Sequence, residues 1–193
     1  MQDFVIVTGI IIKSEPIGEY DRRVVILTKE RGKISAFARS SRKPGNRLMA
    51  PTNPFSFGQF KLFAGRNSYT MSEADISNYF ETLREDFEGA YYGMYFLEIC
   101  DYYTRENNDE LQIMKLLYQS LRALTKKSLD RELVRYIYEL KIFQFAGEYP
   151  ECFGCSTCGA KENLKYFSMF QAGMICEDCR AKAKDGLIMH PST

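Results

Sequence analysis

Residues 152–179 read CFGCSTCGAKENLKYFSMFQAGMICEDC, and five of the chain's six cysteines lie in this stretch. Cys155 and Cys158 form one C-x-x-C pair and Cys176 and Cys179 a second, with 17 residues between them. That is the spacing of four-cysteine zinc sites. Two intervening residues let a tight turn aim both thiolates at one ion about 2.3 Å away, and a second turn completes a tetrahedron. Gly159 directly follows Cys158 and supplies the permissive backbone of such a knuckle. Four thiolates leave no position open for water. One structural Zn2+ on Cys155, Cys158, Cys176 and Cys179 is therefore expected, not a catalytic ion. Cys152 also makes a C-x-x-C with Cys155. The 155/158 pair has the glycine and sets the two pairs on either side of a short ribbon, so Cys152 is not expected to ligate. A disulfide framework would need an oxidising compartment, and a redox pair a βαβ context. Cys100 sits in an apolar helical run and reads as a buried small hydrophobe.

Upstream of the ribbon, from about Asp86, apolar residues recur with helical period. Phe87 to Tyr103 is apolar nearly all round and should form a well-buried helix. The run RENND at 105–109 breaks it. Leu111, Met114, Leu117, Leu121 and Leu124 mark a second helix. Leu133, Ile137, Leu140 and Phe143 mark a third, closed by Gly147 and Pro150. Three helices with short connections predict an antiparallel bundle. The metal is expected to order the otherwise coreless segment that follows.

Nearer the N-terminus the period is two. FVIVTGIIIKS (4–14) reads as a first strand with a bulge or bend at Gly9. YDRRVVILT (20–28) and KISAFA (33–38) read as a hairpin turned at Gly32. FSFGQFKLF (55–63) reads as a fourth strand whose phase shifts at Gly58, and residues 68–77 as a weaker fifth. Between the third and fourth strands, RSSRKPGNR (39–47) reads as a mobile basic loop. Phe55, Phe57, Phe60 and Phe63 read as barrel core, with a base-stacking platform as the alternative. The fold class is α+β. Residues 1–80 are expected to form a five-stranded OB-type β-barrel. Residues 81–193 are expected to form a helical domain carrying the zinc ribbon at 152–179.

Charge is polarised along the chain. Residues 1–80 carry a balance of +5 and residues 81–193 one of −4. From Arg22 to Arg66 there are 11 basic residues and a single acid, Glu30. Such a stripe is the footprint of a phosphate-backbone binder. The first apolar run has no basic stretch before it and is interrupted by Thr8 and Gly9, so it reads as a strand and not a signal peptide. No run approaches the length of a membrane span, and a cytoplasmic protein is expected. His190 is the only histidine, so a His-based triad is unsupported. Phosphate-binding glycine loops are absent from the sequence. No catalytic residue is assigned.

These residues, taken together, resemble the RecO family of bacterial DNA repair proteins. The likeness begins at Thr8-Gly9-Ile10-Ile11-Ile12-Lys13 and continues through Gly18-Glu19-Tyr20-Asp21 and Leu27-Thr28-Lys29-Glu30-Arg31-Gly32-Lys33-Ile34. Next come the basic loop with Arg39, Arg42, Lys43 and Arg47, then Pro54-Phe55, YFLEICD at 95–101, and Gly147-Glu148-Tyr149-Pro150 ahead of Cys155-Ser156-Thr157-Cys158-Gly159. Cys152 falls where that family usually has an apolar residue. Ala172-Gly173 stands where it often has two glycines, and related proteins usually continue beyond the position of Thr193 into further helix.

The resemblance implies a recombination mediator and not an enzyme. Such a protein binds single- and double-stranded DNA and anneals complementary strands. It works with RecR to load recombinase onto strands coated by single-stranded-DNA-binding protein, in the cytoplasm at the nucleoid. Arg22, Arg23, Lys33, Arg39, Arg42, Lys43 and Arg47 would contact phosphates and release counterions. An alternative is a zinc-ribbon adaptor for protein partners without strong DNA binding. A zinc hydrolase would need an open coordination position that four cysteines do not leave.

Overall fold

The computed structural model describes residues 4–65 and 68–190; Arg66, the last cation of the basic run, lies outside the described residues. Five strands come first: β1 (Phe4–Ile17), β2 (Asp21–Thr28), β3 (Gly32–Ala38), β4 (Phe57–Ala64) and β5 (Tyr69–Asn78). They close into a barrel in the order β1-β2-β3-β5-β4. The closure is a short parallel pairing, Ala36 with Tyr69 and Phe37 with Thr70. The β2–β3 hairpin ends at the pair Thr28/Gly32, where Gly32 adopts a φ of +61° that side chains disfavour.

Alternation decides what the barrel encloses. Val24 and Ile26 of β2, Ile34 and Ala36 of β3, and Phe60 and Leu62 of β4 point inward to one buried cluster. In β1 the consecutive Ile10, Ile11 and Ile12 are all buried. Strict alternation cannot do this for a strand with one wet face. Here the outer face of β1 is covered as well.

Gly9 is not the bulge its sequence suggests. It stays in register with Thr28 on one side and Gly58 on the other. The irregularity in β1 falls between Ile11 and Lys13. Gly9 is needed for close approach: a Cβ there would lie 2.4 Å from the Leu27 carbonyl oxygen. Gly58 does sit at a register shift against β5, as its phase predicted, and its Cβ would lie 2.1 Å from the Asp75 carbonyl oxygen.

The helices are α1 (Glu81–Glu85), α2 (Phe87–Tyr103), α3 (Leu111–Leu124) and α4 (Arg131–Ala146). Asp86 caps α2 by accepting from the Gly89 N–H at 3.0 Å. The Asp86 carboxyl is held below the usual range by that bond and by the Arg131 guanidinium, which also reaches Glu88. Helix α2 covers β1. Gly93 receives the Phe55 ring, and a Cβ at Gly93 would lie 3.0 Å from it. The Lys33 ammonium reaches across from β3 to the Asp101 carbonyl (2.6 Å) and carboxylate (3.0 Å). The last turn of α2 has no cation of its own, so the barrel supplies the positive charge its C-terminus favours. Tyr138 of α4 stacks on Phe96 of α2 at 4.3 Å and donates to the Phe96 carbonyl. Cys100 is fully buried, as expected, and burial pushes its thiol well above the usual range.

One compact unit therefore runs from Met1 to Ile142, past the change of periodicity near residue 80, because α2 is built onto the barrel. The second spans Phe143–Thr193. It holds β6 (Leu164–Ser168), β7 (Gly173–Cys176), a 3-10 turn (Glu177–Lys182) and β8 (Leu187–Ile188), in a sheet ordered β7-β6-β8. No described helix is long and apolar enough to cross a membrane.

The Gly58 contact is testable. Gly58→Ala should destabilise the protein by about 1–3 kcal/mol, since the clash is with backbone that cannot yield cheaply. Urea unfolding would read the loss; wild-type stability would show that β4 and β5 are not so close there.

Candidate nucleic-acid interface and metal centre

Strand register gathers most of the basic run at one end of the barrel. Arg22 and Arg23 open β2 and pair with Ala38 and Phe37 at the close of β3. Arg39 follows directly. The Arg42 N–H donates to the Tyr20 carbonyl at 2.8 Å, which draws the 39–47 segment against the β1–β2 turn. Arg22, Arg23, Arg39, Arg42, Lys43 and Arg47 thus share one end. Lys33 lies five residues back along β3, on the order of 17 Å away, and is engaged with Asp101.

The cations differ in what occupies them. Arg22 is half-buried and donates through one nitrogen to the Met49 carbonyl, Thr52 Oγ1 (2.8 Å) and Asn53 Oδ1 (2.8 Å). Burial and the Arg42 charge lower its pKa. Its place is internal, holding the 49–53 segment. Arg42 touches the Gly18 carbonyl at 3.3 Å, and Arg23 reaches Ser35 Oγ at 3.4 Å. The Lys43 ammonium lies 4.8 Å from the centre of the Tyr20 ring. Arg23, Arg39, Arg42, Lys43 and Arg47 are all exposed.

The basic loop is tied down along its length, contrary to its mobile reading. Successive turns are closed by Lys43 N–H to Ser40 O, Asn46 N–H to Lys43 O and Met49 N–H to Asn46 O. Ser41 and Thr52 are fully buried, with their hydroxyls on the Ala38 and Leu48 carbonyls. Phe55 N–H to Ile11 O and Ile11 N–H to Ser56 O fasten the far end. The loop reads as polar because its anchors are hydrogen bonds, which leave no hydrophobic pattern.

Of the four phenylalanines read as barrel core only Phe60 lies in the barrel cluster; Phe55 packs outside it on Gly93 of α2, and Phe57 and Phe63 are half-buried. Phe55 and Phe60 are buried and Phe57 lies against Tyr118 at 4.5 Å. The aromatics exposed near the cations are Tyr20 and Phe37. Phe37 was legible as the outward member of KISAFA, between two inward alanines.

The second unit brings the four cysteine sulfurs within 4.8 Å of one another, and Cys152 is not among them. All six cysteines are free thiols. The Cys158–Cys176 sulfur separation is 3.7 Å. A tetrahedron with 2.3 Å metal–sulfur bonds has edges of about 3.8 Å, so the thiols fit such a metal site. The first knuckle is closed by Gly159 N–H to Cys155 O (2.7 Å), with Gly159 at φ +76°. Segment 151–156 lies along β7 through Met174 N–H to Glu151 O and Ser156 N–H to Met174 O. Gly173 permits this approach, since a Cβ there would lie 2.2 Å from Ser156 Oγ. Ala172 holds a φ of +46°, a conformation that favours the glycine often found in the resembling family. Tyr166, Ile175 and Ala183 pack around the buried cysteines, while Cys158 is exposed.

Taken by themselves the thiols are unequal. Burial pushes Cys155 up, but the backbone N–H groups of Cys176, Thr157 and Cys158 together outweigh it and bring it down to about 6. Cys179 is pushed up to about 12 by its hydrogen bond with Cys158 and by burial. A cation bound to the four sulfurs would displace the thiol protons. The small apolar cluster depends on these sulfurs. Cys176→Ser should abolish bound metal and unfold the ribbon, while Cys152→Ser should leave both intact. Metal analysis and circular dichroism on the two variants would decide; metal lost from the Cys152 variant would contradict the four-ligand assignment.

Known proteins resemble this chain in sequence. Residues 1–80 match the family Recombination protein O N terminal, and residues 84–193 match Recombination protein O C terminal. The DNA repair protein RecO of Alkaliphilus metalliredigens is 33% identical over 172 residues, covering 89% of this chain and 70% of the relative. That of Bacillus pumilus is 33% identical over 184 residues, covering 95% and 72%. That of Acetivibrio thermocellus is 30% identical over 181 residues, covering 93% and 72%. With matches over both its barrel and the region of its helices and cysteines, the chain belongs to the RecO family of recombination proteins.

Proposed function

We propose that this protein acts in DNA repair and recombination as a mediator and not as an enzyme. It binds single- and double-stranded DNA, anneals complementary strands, and with RecR assists recombinase loading on strands coated by single-stranded-DNA-binding protein. Its place is the cytoplasm, at the nucleoid. The observation that carries the DNA reading is the gathering of Arg23, Arg39, Arg42, Lys43 and Arg47, all exposed, at one end of the barrel. Phosphates are the chemistry such a group suits, because each neutralised phosphate releases counterions. OB-type barrels take oligonucleotides on the face of their second and third strands and the loops joining strands 1–2 and 4–5; Arg23 lies on β2, and the bond from Arg42 N–H to the Tyr20 carbonyl draws the β3–β4 connection with its cations against the β1–β2 turn. Contacts to the backbone leave base edges free, which annealing requires. Arg22 supports the site from within, and Lys33 serves the barrel–helix junction. The metal proposed for Cys155, Cys158, Cys176 and Cys179 is one structural Zn2+.

One observation favours a second reading, a zinc-ribbon adaptor: Phe153, Met169 and Phe170 of the ribbon are 75%, 71% and 92% exposed. Charge reversal separates the two. The double variant Arg39→Glu/Arg47→Glu should bind single- and double-stranded DNA at least tenfold more weakly, with a salt slope on single strands shallower by about 1.4. Fluorescence anisotropy across a salt series would measure both. An unchanged affinity and slope would move the DNA site elsewhere, and a wild-type chain that binds neither DNA at low salt would favour the adaptor.

A further inference from the structure

We infer that the cationic end of the barrel takes unpaired bases as well as phosphates, with Phe37 and Tyr20 as stacking surfaces, so that single-stranded DNA is its preferred ligand. This rests on the DNA-binding reading above and adds which form of DNA the site selects and by which side chains. Phe37 projects from β3 between the buried Ala36 and Ala38 and is 36% exposed. Its cross-strand neighbours are Arg23 on β2 and Thr70 on β5. The Arg23 guanidinium turns to Ser35 Oγ, two residues along β3. Arg23 and Thr70 lie beside Phe37 in register, Ser35 and Arg39 stand two residues away along the chain, and the exposed ring offers a surface on which a planar base can lie. Tyr20, 40% exposed in the β1–β2 turn, has Lys43 over its ring. Tyr20 lies three positions before Arg23, which faces Phe37. At strand rise that is on the order of 10 Å, which a short stretch of extended single strand spans.

Phosphate contacts alone do not select single strand over duplex, since both present phosphates and the duplex carries the denser charge. Stacking does, because in a duplex each base's faces are already covered by its neighbours. Stacking also tolerates any sequence, since every base has a π-face. On this arrangement the cations set salt dependence and the aromatics set strand preference. Annealing then has a direction: once two strands pair, their bases leave Phe37 and Tyr20 for each other, and the duplex is held by phosphates alone.

The chain contains no tryptophan, so Phe37→Trp in the full chain installs a single fluorescent reporter. Its emission should be quenched by an oligothymidylate and not by a duplex of equal length. Phe37→Ala should weaken single-strand binding by about tenfold and leave duplex affinity and salt slope unchanged, whereas Arg39→Glu lowers both affinities. Single-strand affinity equal to wild type in Phe37→Ala, an equal loss on both ligands, or Trp emission unmoved by saturating oligothymidylate would each overturn the inference while leaving the phosphate site standing. Failure of the wild-type chain to bind either DNA would overturn the underlying reading with it.

Discussion

The seat of the Phe55 ring on Gly93 is the contact from which the order of the cationic end follows. Phe55 sits at a φ of +73°, costly for an aromatic residue, and is held there by backbone bonds to Ile11 and by the pocket Gly93 leaves. That seat covers β1 and so explains how three consecutive isoleucines are buried. It also fixes the far end of the long connection between β3 and β4. Arg22 fastens the connection at Thr52 and Asn53, and Tyr20 fastens it near its start through Arg42. Between those fixed points Lys43 and Arg47 have defined positions. A site held in this way pays little ordering entropy when it meets a ligand.

The ribbon solves a different problem. Its apolar cluster is small, with Tyr166 and Ile175 as its large members and cysteines for much of the remainder. Such a core cannot offset the entropy of ordering a long segment. A metal that binds four thiolates makes its binding free energy part of folding free energy. The donor N–H groups around Cys155 and the close packing at Gly173 show the backbone already shaped to hold the sulfurs together.

Much of this was legible in the sequence, for physical reasons that differ by feature. The five strands followed from alternation and the helices from apolar recurrence, but the buried face of α4 carries Val134, Tyr138 and Ile142, while Leu133, Ile137 and Leu140 of the stripe marked in the sequence are exposed. The cysteine cluster followed from spacing alone, because two residues between thiols leave one local geometry. The bulge offered at Gly9 falls instead between Ile11 and Lys13, since a glycine within a strand serves either a bulge or a close approach and the pattern does not separate them. The loop at 39–47 was misread because polar residues look alike whether they face water or bury their hydroxyls, as Ser41 does. Arg22 and Lys33 looked like the other cations because a sequence displays charge and not the partner. Their partners, Thr52 with Asn53 and Asp101, are 30, 31 and 68 residues away. Phe37 was passed over in favour of the denser aromatic run of β4, where number signalled packing and not exposure.

The proposed DNA contact is electrostatic, with Arg23 and the exposed cations of the β3–β4 connection meeting phosphates. The most direct test is the salt dependence of single-strand binding by the wild-type chain, with metal content determined on the same sample. Five phosphate contacts predict a linear fall of log affinity with log salt, with a slope of about −3.5, in protein carrying about one zinc per chain. Absence of binding at low salt in fully metallated protein, or an affinity indifferent to salt, would contradict the account.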